Sequence, residues 1–174
     1  MLLPTTGVLL DGRHYLPLRV YYEDTDFGGI VYHANFLKFA ERARTEFLRC
    51  LGIDQTALKN EIGVVFAARH LEIDFLKSAG MDDCLLVETS VASLSGAKLA
   101  LAQQIARIPS GATELPSSSH GDAIKAAQNH IDALKGEVLA SLTVTLACVG
   151  AAGRPVRLPD VIRDPFAGCL PQPT

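Results

Sequence analysis

The residue types best suited to chemistry in this 174-residue chain lie within one short segment. Asp24 and Asp26 are followed by the pair Gly28-Gly29 and then by His33. A carboxylate beside a carbonyl group can deprotonate a water molecule or attack the carbonyl itself, which forms a transient anhydride. The paired glycines permit a tight turn, because glycine adopts backbone angles that other residues avoid. This spacing predicts a site for acyl transfer.

A helix is predicted directly after this segment, from Ala34 to Leu51. Apolar residues recur there every three or four positions, as in an amphipathic helix, and Gly52 follows where a C-terminal glycine is favoured. The first turn of a helix presents unpaired N–H groups and a partial positive charge. These groups polarise a carbonyl oxygen, and the loss of one such donor costs roughly 3 to 4 kcal/mol of transition-state stabilisation.

A thioester is the carbonyl compound that this small set of groups suits best. Thiolate is a much better leaving group than an amine or an alkoxide, so the reaction needs little help from a general acid. The sequence offers no obvious set of metal ligands. We therefore expect neither a metal nor a cofactor.

Each of these residues also has a purely structural interpretation. Asp26 on its own would be read as a turn residue that caps a nearby amide, but the surrounding motif favours a catalytic role. Asp24 is predicted to bond backbone amides and to orient the turn. For His33, a structural role at the helix start and a catalytic role both stay open. The ring of Tyr32 is expected to pack rather than react.

The remaining pattern predicts an α+β fold made of one domain, residues 1–174. Alternating apolar and polar residues indicate a first strand that ends near Glu23 and four more strands after the helix. An antiparallel five-stranded sheet wrapped around one long central helix accounts for this order. The four later strands are predicted at about 71–75, 85–94, 99–107 and 138–148.

Two segments depart from this simple order. Residues 109–136 form a long connection between two predicted strands, with a Pro-, Ser- and Gly-rich first half and helical spacing at about 122–134. We interpret them as an insertion that combines a loop and a helix. The proline-rich residues from about 154 onward are predicted to form an irregular C-terminal tail over the surface.

Composition and charge argue against several classes of protein. The net charge of −3 comes from mixed signs with no basic cluster, which argues against nucleic acid as a partner. No apolar run reaches the ~18 residues of a membrane span, and no export signal is recognisable at the N-terminus, so we expect no membrane insertion. The four cysteines lack the spacing of zinc or redox motifs. Reduced thiols and a cytoplasmic location are the expectation.

The run from Arg19 to Gly52 closely resembles a known family. Its Asp-x-Asp-x-x-Gly-x-Val-Tyr-His core, followed by Asn35, Phe36 and a Glu-Arg-Ala-Arg stretch, is similar to the Tol-Pal-associated, YbgC-like acyl-CoA thioesterases. These belong to the 4-hydroxybenzoyl-CoA thioesterase branch of the hotdog superfamily. The predicted strand order agrees with that family over most of the chain, but relatives usually join the strands around the insertion tightly.

The resemblance implies an acyl-CoA thioesterase with the hotdog fold. Asp26 matches the catalytic aspartate, as general base or nucleophile, and His33 matches a histidine beside it. Acyl-CoA would be the substrate, with coenzyme A as part of it and no separate cofactor, and the protein would be a homodimer or homotetramer with active sites at subunit interfaces. The implied oxyanion donors are the backbone amides of Tyr32 and His33, and the predicted substrate-binding residues are Gly28, Gly29, Ile30 and Val31.

Two other functions are weighed on the same fold. A non-catalytic module that binds acyl-CoA or an acyl carrier would keep the pocket without depending on Asp26. A dehydratase would place its histidine and acid differently, and the Asp-x-Asp loop argues against that function. The spacing of the motif does not separate the nucleophile and general-base roles of Asp26, and the acyl group stays open.

Overall fold

The computed structural model describes residues 6–109, 132 and 136–171, and the strands within them form one antiparallel sheet. The prediction of an antiparallel sheet with one long helix is confirmed, but the sheet has six strands in the order β1-β2-β4-β5-β6-β3 rather than five. The added strand, β1, is only three residues long and therefore too short to show a period. The strands are β1 (Val8–Leu10), β2 (Arg13–Arg19), β3 (Val64–Phe75), β4 (Cys84–Ser95), β5 (Lys98–Arg107) and β6 (Val138–Gly150).

The long helix α1 (His33–Cys50) lies against the sheet with its apolar face buried. Phe36, Phe39, Ala43 and Phe47 are at most 3% exposed, so the predicted three-to-four residue spacing faces the core. The helix ends before Gly52, which adopts the left-handed conformation (φ 74°) that glycine tolerates best. The shorter elements are a 3₁₀ turn (Tyr22–Asp24), helix α2 (Gln55–Ala57), a π turn (Leu58–Ile62) and helix α3 (Asp160–Ala167).

A buried polar cluster fixes α1 on the central strands. Arg44 Nη1 donates to Gln103 Oε1 at 2.6 Å, and Gln103 Nε2 donates to the carbonyl of Ala40 at 3.0 Å and to Thr89 Oγ1 at 2.9 Å. Buried polar groups cost free energy unless they are paired, so these bonds favour one position of the helix over the sheet. The start of α1, which matters for the site, is positioned by this docking.

The prediction of an irregular C-terminal tail is wrong for residues 160–167, which form α3. Ile162 and Phe166 are buried, and the Phe166 ring packs perpendicular to that of Phe47 with centroids 5.4 Å apart. Burial of two such side chains stabilises by roughly 3 to 6 kcal/mol, which offsets the ~3 kcal/mol cost of Pro165 inside the helix. The prolines that suggested an irregular tail are therefore tolerated.

Most of the predicted insertion at 109–136, including most of its proposed helix at 122–134, lies outside the described residues. The assignment of residues 1–174 to a single domain stays a prediction for the same reason. Within the described ranges, no helix is both long and apolar enough to cross a membrane.

His14 on β2 should make the stability of the fold depend on pH. Its Nε2 donates to the carbonyl of Thr6 (2.7 Å), its ring stacks on Phe47, and its buried Nδ1 has no hydrogen-bond partner among the described residues. Burial lowers the pKa of His14, because the charged form cannot be solvated in the core. Below about pH 6.5 the unfolded chain binds a proton that the folded chain resists, so the free energy of unfolding falls as the pH falls.

Urea unfolding between pH 7.5 and pH 5 measures this effect. We expect the His14→Gln variant to lose the part of the slope that this imidazole contributes, up to about 1.4 kcal/mol per pH unit. Equal slopes in His14→Gln and wild type would contradict this assignment.

Candidate active site

The loop that carries Asp26 is a tight hairpin turn. Thr25 and Val31 form an antiparallel bridge, the Asp26 amide donates to the carbonyl of Ile30 (2.9 Å), and the Gly29 amide donates to the carbonyl of Asp26 (3.0 Å). Gly29 has a φ of 76°, a left-handed conformation that side chains other than glycine rarely adopt. The predicted glycine turn is thus present, and it fixes the backbone of Asp26 on both sides.

The carboxylate of Asp26 is exposed and held by one of its two oxygens. Oδ1 accepts a hydrogen bond from the Gly28 amide at 2.8 Å, which is the turn-capping contact expected from a structural interpretation. A carboxylate has lone pairs on both oxygens, so this bond leaves Oδ2 available to a water molecule or a substrate. The capping contact orients the carboxylate and does not exclude a chemical role.

Helix α1 begins at His33, with Tyr32 as the residue before its first turn. The Tyr32 amide donates to the carbonyl of Asp24 (2.9 Å), and the Asn35 amide donates to the carbonyl of Tyr32 (2.8 Å). In the part of the chain that the structure describes, the amides of His33 and Ala34 donate to no other group. The prediction of Tyr32 as an oxyanion donor is therefore corrected, because its N–H is already bonded, whereas the His33 amide is free to donate.

A single carbonyl group, that of Asp24, ties the Asp26 loop to the start of α1. It accepts from the Tyr32 amide and from Asn35 Nδ2 (2.8 Å), while the Asp24 carboxylate accepts from the Tyr21 amide (2.9 Å). The turn-orienting contacts predicted for Asp24 are therefore present. The role of Asn35 in this link was missed, because nothing in its spacing indicates a bond to a residue eleven positions earlier.

The imidazole of His33 is exposed and packs among aromatic rings. Its centroid lies 4.4 Å from that of Tyr32 and 6.1 Å from that of Phe75, which meets it edge-on. Among the described residues, no hydrogen bond joins this imidazole to Asp26. The structure brings the His33 amide and the Asp26 carboxylate into one turn-and-helix unit, and it leaves the role of the imidazole open.

The four predicted substrate-binding residues differ in what they present. Ile30 is 44% exposed, and the backbone of Gly28 and Gly29 lies at the surface. The predicted contact of Val31 with substrate is corrected, because its side chain lies in the core and its amide donates to the carbonyl of Ala79 (2.8 Å). Contact with a substrate is thus open to Gly28, Gly29 and Ile30, but not to the side chain or amide of Val31.

A second loop, residues 76–83 between β3 and β4, contacts the Asp26 loop through its backbone. The carbonyl of Ala79 accepts a hydrogen bond from the Val31 amide, and Gly80 forms an antiparallel bridge with Ile30. Asp83 Oδ2 accepts from the Gly80 amide at 2.8 Å and so closes the second loop on itself. We name residues 76–83 the support loop. Its contribution was not predicted from the sequence, since its partners lie about 50 positions away along the chain.

The surface around the Asp26 loop is open and apolar. Phe27 is fully exposed, and Tyr32, Leu76 and Met81 are each about half exposed, at 46%, 56% and 55%. Two cavities, of about 350 and 420 Å³, lie elsewhere, beside α2 and between the β1–β2 turn and the C-terminal residues. Within the described residues, no group of three or more His, Cys, Asp or Glu side chains is arranged to hold a metal. Among the described residues, this surface beside Asp26 is therefore open on one side.

Comparisons with known proteins identify the family and the fold that this chain is similar to. The sequence model of the thioesterase superfamily matches residues 28–110. An acyl-CoA thioesterase, YbgC, from Haemophilus influenzae is 48% identical over 99 residues, which are 57% of this chain and 73% of the relative.

Solved structures show the same fold. A probable thioesterase from Bartonella henselae is 33% identical, with a TM-score of 0.65, and the match covers 84% of this chain and 99% of that one. A mutant 4-hydroxybenzoyl-CoA thioesterase complexed with 4-hydroxybenzoyl-CoA has a TM-score of 0.71 over 88% of this chain and 98% of its own, at 14% identity. At that identity the likeness concerns the fold alone.

Proposed function

Because the chain belongs to the YbgC-like acyl-CoA thioesterases of the thioesterase superfamily and is a thioester hydrolase, we propose that it hydrolyses an acyl-CoA to a carboxylic acid and coenzyme A at Asp26. The observation that carries this proposal is the pairing of an oriented, exposed carboxylate with a free amide at the start of α1. The Asp24 carbonyl joins the two parts through short hydrogen bonds.

In the proposed reaction, the thioester oxygen lies at the His33 amide. Negative charge develops on that oxygen as the carbonyl is attacked, and a backbone donor at the positive end of a helix stabilises it. The free oxygen of Asp26 either removes a proton from the attacking water or attacks directly, after which water hydrolyses the anhydride. In both cases the carbon–sulfur bond breaks and coenzyme A leaves as a thiolate that then takes up a proton.

The support for Asp26 is geometric. The Gly28 amide fixes one carboxylate oxygen, and the Thr25–Val31 bridge fixes the backbone on either side. A positioned group of this kind converts attack on the thioester into an effectively intramolecular step. For His33 we propose that the amide is the oxyanion donor. A role for the imidazole in orienting water or the acyl group is a separate part of the proposal, because the ring packs on Tyr32 and Phe75 and, among the described residues, forms no hydrogen bond with Asp26.

A panel of short aliphatic, long aliphatic and aromatic acyl-CoAs tests the proposal. Free thiol and free carboxylic acid are measured together, and binding is measured by calorimetry with thioether analogues that cannot be hydrolysed. We expect equal amounts of thiol and acid from at least one member, and that member identifies the acyl class. Binding of the analogues without release of thiol from any member would instead support a binding module.

We further propose that two copies of the chain pair through β3 and complete the site. Among the described strands, β3 pairs only with β6, so one edge of its twelve residues carries free N–H and C=O groups. Long exposed edges of this kind are normally covered in native proteins. Phe75 ends β3 beside His33, so a second chain along this edge would cover the side of the site that the described residues leave open. The cytoplasmic location and the absence of a cofactor remain parts of the proposal.

Light scattering and amide hydrogen exchange test the pairing. We expect the mass of a dimer or tetramer, and we expect the outward-facing amides of β3 to exchange more slowly as protein concentration rises. The amides of β1, at the opposite edge of the sheet, are the control and should show no such dependence on concentration. A monomer mass under conditions in which the protein is active would contradict the proposal.

A further inference from the structure

Arg107, at the end of β5, contacts three groups around the support loop. Its Nη2 donates to the carbonyl of Ser78 at 2.6 Å, its Nε donates to Asp83 Oδ2 at 3.1 Å, and its Nη1 donates to Glu137 Oε2 at 2.7 Å. Two of the three acceptors belong to the support loop itself. A planar guanidinium group with fixed donor directions can satisfy acceptors on several sides at once.

The same loop carries the contacts that hold the centre of the candidate site. Asp83 Oδ2 accepts from both Arg107 and the Gly80 amide, and Gly80 forms a bridge with Ile30. The carbonyl of Ala79, the residue before Gly80, accepts a hydrogen bond from the Val31 amide. Ile30 and Val31 lie between Asp26 and His33 in the sequence. A continuous set of hydrogen bonds thus runs from the guanidinium group to the segment that sets the spacing of the carboxylate and the oxyanion amide.

We propose that Arg107 is a positioning residue of the active site, acting through the support loop on the Asp26–His33 segment. The inference rests on the proposed function, and it assigns the residue no contact with substrate. The reaction requires the carboxylate and the helix amide at a fixed separation. When a change far from the reacting groups moves them by about 1 Å, the rate falls by up to about 100-fold. Arg107 limits that displacement because it holds the support loop at Ser78 and at Asp83 together.

Glu137 and Lys77 complete the cluster and keep the guanidinium group in place. Glu137 forms ion pairs with Arg107 and with Lys77, and the Arg107 amide donates to the carbonyl of Glu137 at 2.8 Å. The hydrogen bond from Lys77, together with the charges of Lys77 and Arg107, lowers the pKa of the Glu137 carboxyl. Arg107 and Glu137 also lie at the two ends of the predicted insertion. The cluster therefore connects residues that flank that insertion to the support loop.

The test compares Arg107→Gln and Arg107→Lys with wild type. Arg107→Lys keeps a positive charge between Asp83 and Glu137, so it should stay folded even if Arg107→Gln does not. A lysine ammonium group cannot, however, reproduce the three fixed donor directions of the guanidinium group. We expect Arg107→Gln to lower kcat by about 10- to 100-fold with KM changed by less than about threefold, and Arg107→Lys to recover only part of the loss. Arg13→Gln is the matched control, since Arg13 forms an ion pair with Glu88 on β4 away from the support loop.

Amide hydrogen exchange at Val31 and Gly80 provides a readout that does not depend on catalysis. We expect both amides to exchange about tenfold faster or more in the Arg107 variants, and at the wild-type rate in Arg13→Gln. If wild type has no thioesterase activity, the proposed function fails, and the exchange result alone still decides whether Arg107 holds the loop. Folded Arg107 variants with wild-type kcat and wild-type exchange at Val31 would overturn the inference, as would an equal loss of kcat in Arg13→Gln.

Discussion

Asp26→Asn is expected to lower kcat by at least about 100-fold while the protein stays folded and still binds acyl-CoA. The amide oxygen of Asn can accept the Gly28 hydrogen bond, so the turn is kept. Asn cannot accept a proton from water near neutral pH or form an anhydride, so both proposed roles of the carboxylate are lost. Steady-state kinetics give kcat, and calorimetry with a thioether analogue gives the dissociation constant.

Asp11→Asn is the matched control for this variant. It removes one carboxylate from a different turn, between β1 and β2, at a backbone φ of 48° that Asn tolerates well. We expect its kcat to lie within about twofold of wild type, since the net charge changes as in Asp26→Asn but the site does not. If Asp26→Asn keeps its kcat within about threefold of wild type, the carboxylate is a turn residue only.

His33→Pro is expected to lower kcat by about 10²- to 10³-fold relative to His33→Ala. Proline lacks the N–H, so it removes the proposed oxyanion donor, whereas alanine removes the imidazole and keeps the amide. Proline is well tolerated at the first position of a helix, which His33 occupies in α1. Tyr32, the preceding residue, has φ −60° and ψ 129°, a conformation compatible with a following proline. The helix should therefore survive the substitution.

The three proteins separate the two roles of His33. The ratio of kcat between His33→Ala and His33→Pro reports the amide, and the ratio between wild type and His33→Ala reports the imidazole. Unfolding midpoints measured on all three show whether the helix is intact. Equal kcat values in His33→Ala and His33→Pro, with both proteins folded, would remove the His33 amide from the mechanism.

The features predictable from the sequence are those with a short period or a local partner. The turn around Gly29, the apolar face of α1 and three of the four later strands follow from residues within a few positions of one another. The strand predicted at 71–75 is longer than expected, because β3 begins at Val64. The strand β1 has only three residues, so it shows no alternation, and it forms because β2 offers it an edge. The α3 helix was obscured by its prolines, because its stability comes from contacts with Phe47 on a distant helix.

The residues of the candidate site were proposed from the sequence, and their catalytic roles stay predictions, but their hydrogen bonds were not predictable. Asp26 and His33 lie in a motif whose spacing indicates acyl transfer, but the motif does not show which amides are already bonded. The Tyr32 amide is used by the Asp24 carbonyl, a bond set by how the 3₁₀ turn meets α1. Arg107 is 29 positions from Ser78 and 24 from Asp83, so no local pattern connects it to the site.

The most direct test of Asp26 as the catalytic carboxylate is a single-turnover experiment with enzyme in excess over a cleavable acyl-CoA. Under these conditions the first-order rate of thiol release reports the chemical step on bound substrate, free of product release. We predict rapid release by wild type and a rate at least about 100-fold lower for Asp26→Asn at equal occupancy. Equal rates in the two proteins would show that bound thioester is cleaved without Asp26 and would contradict the proposed mechanism.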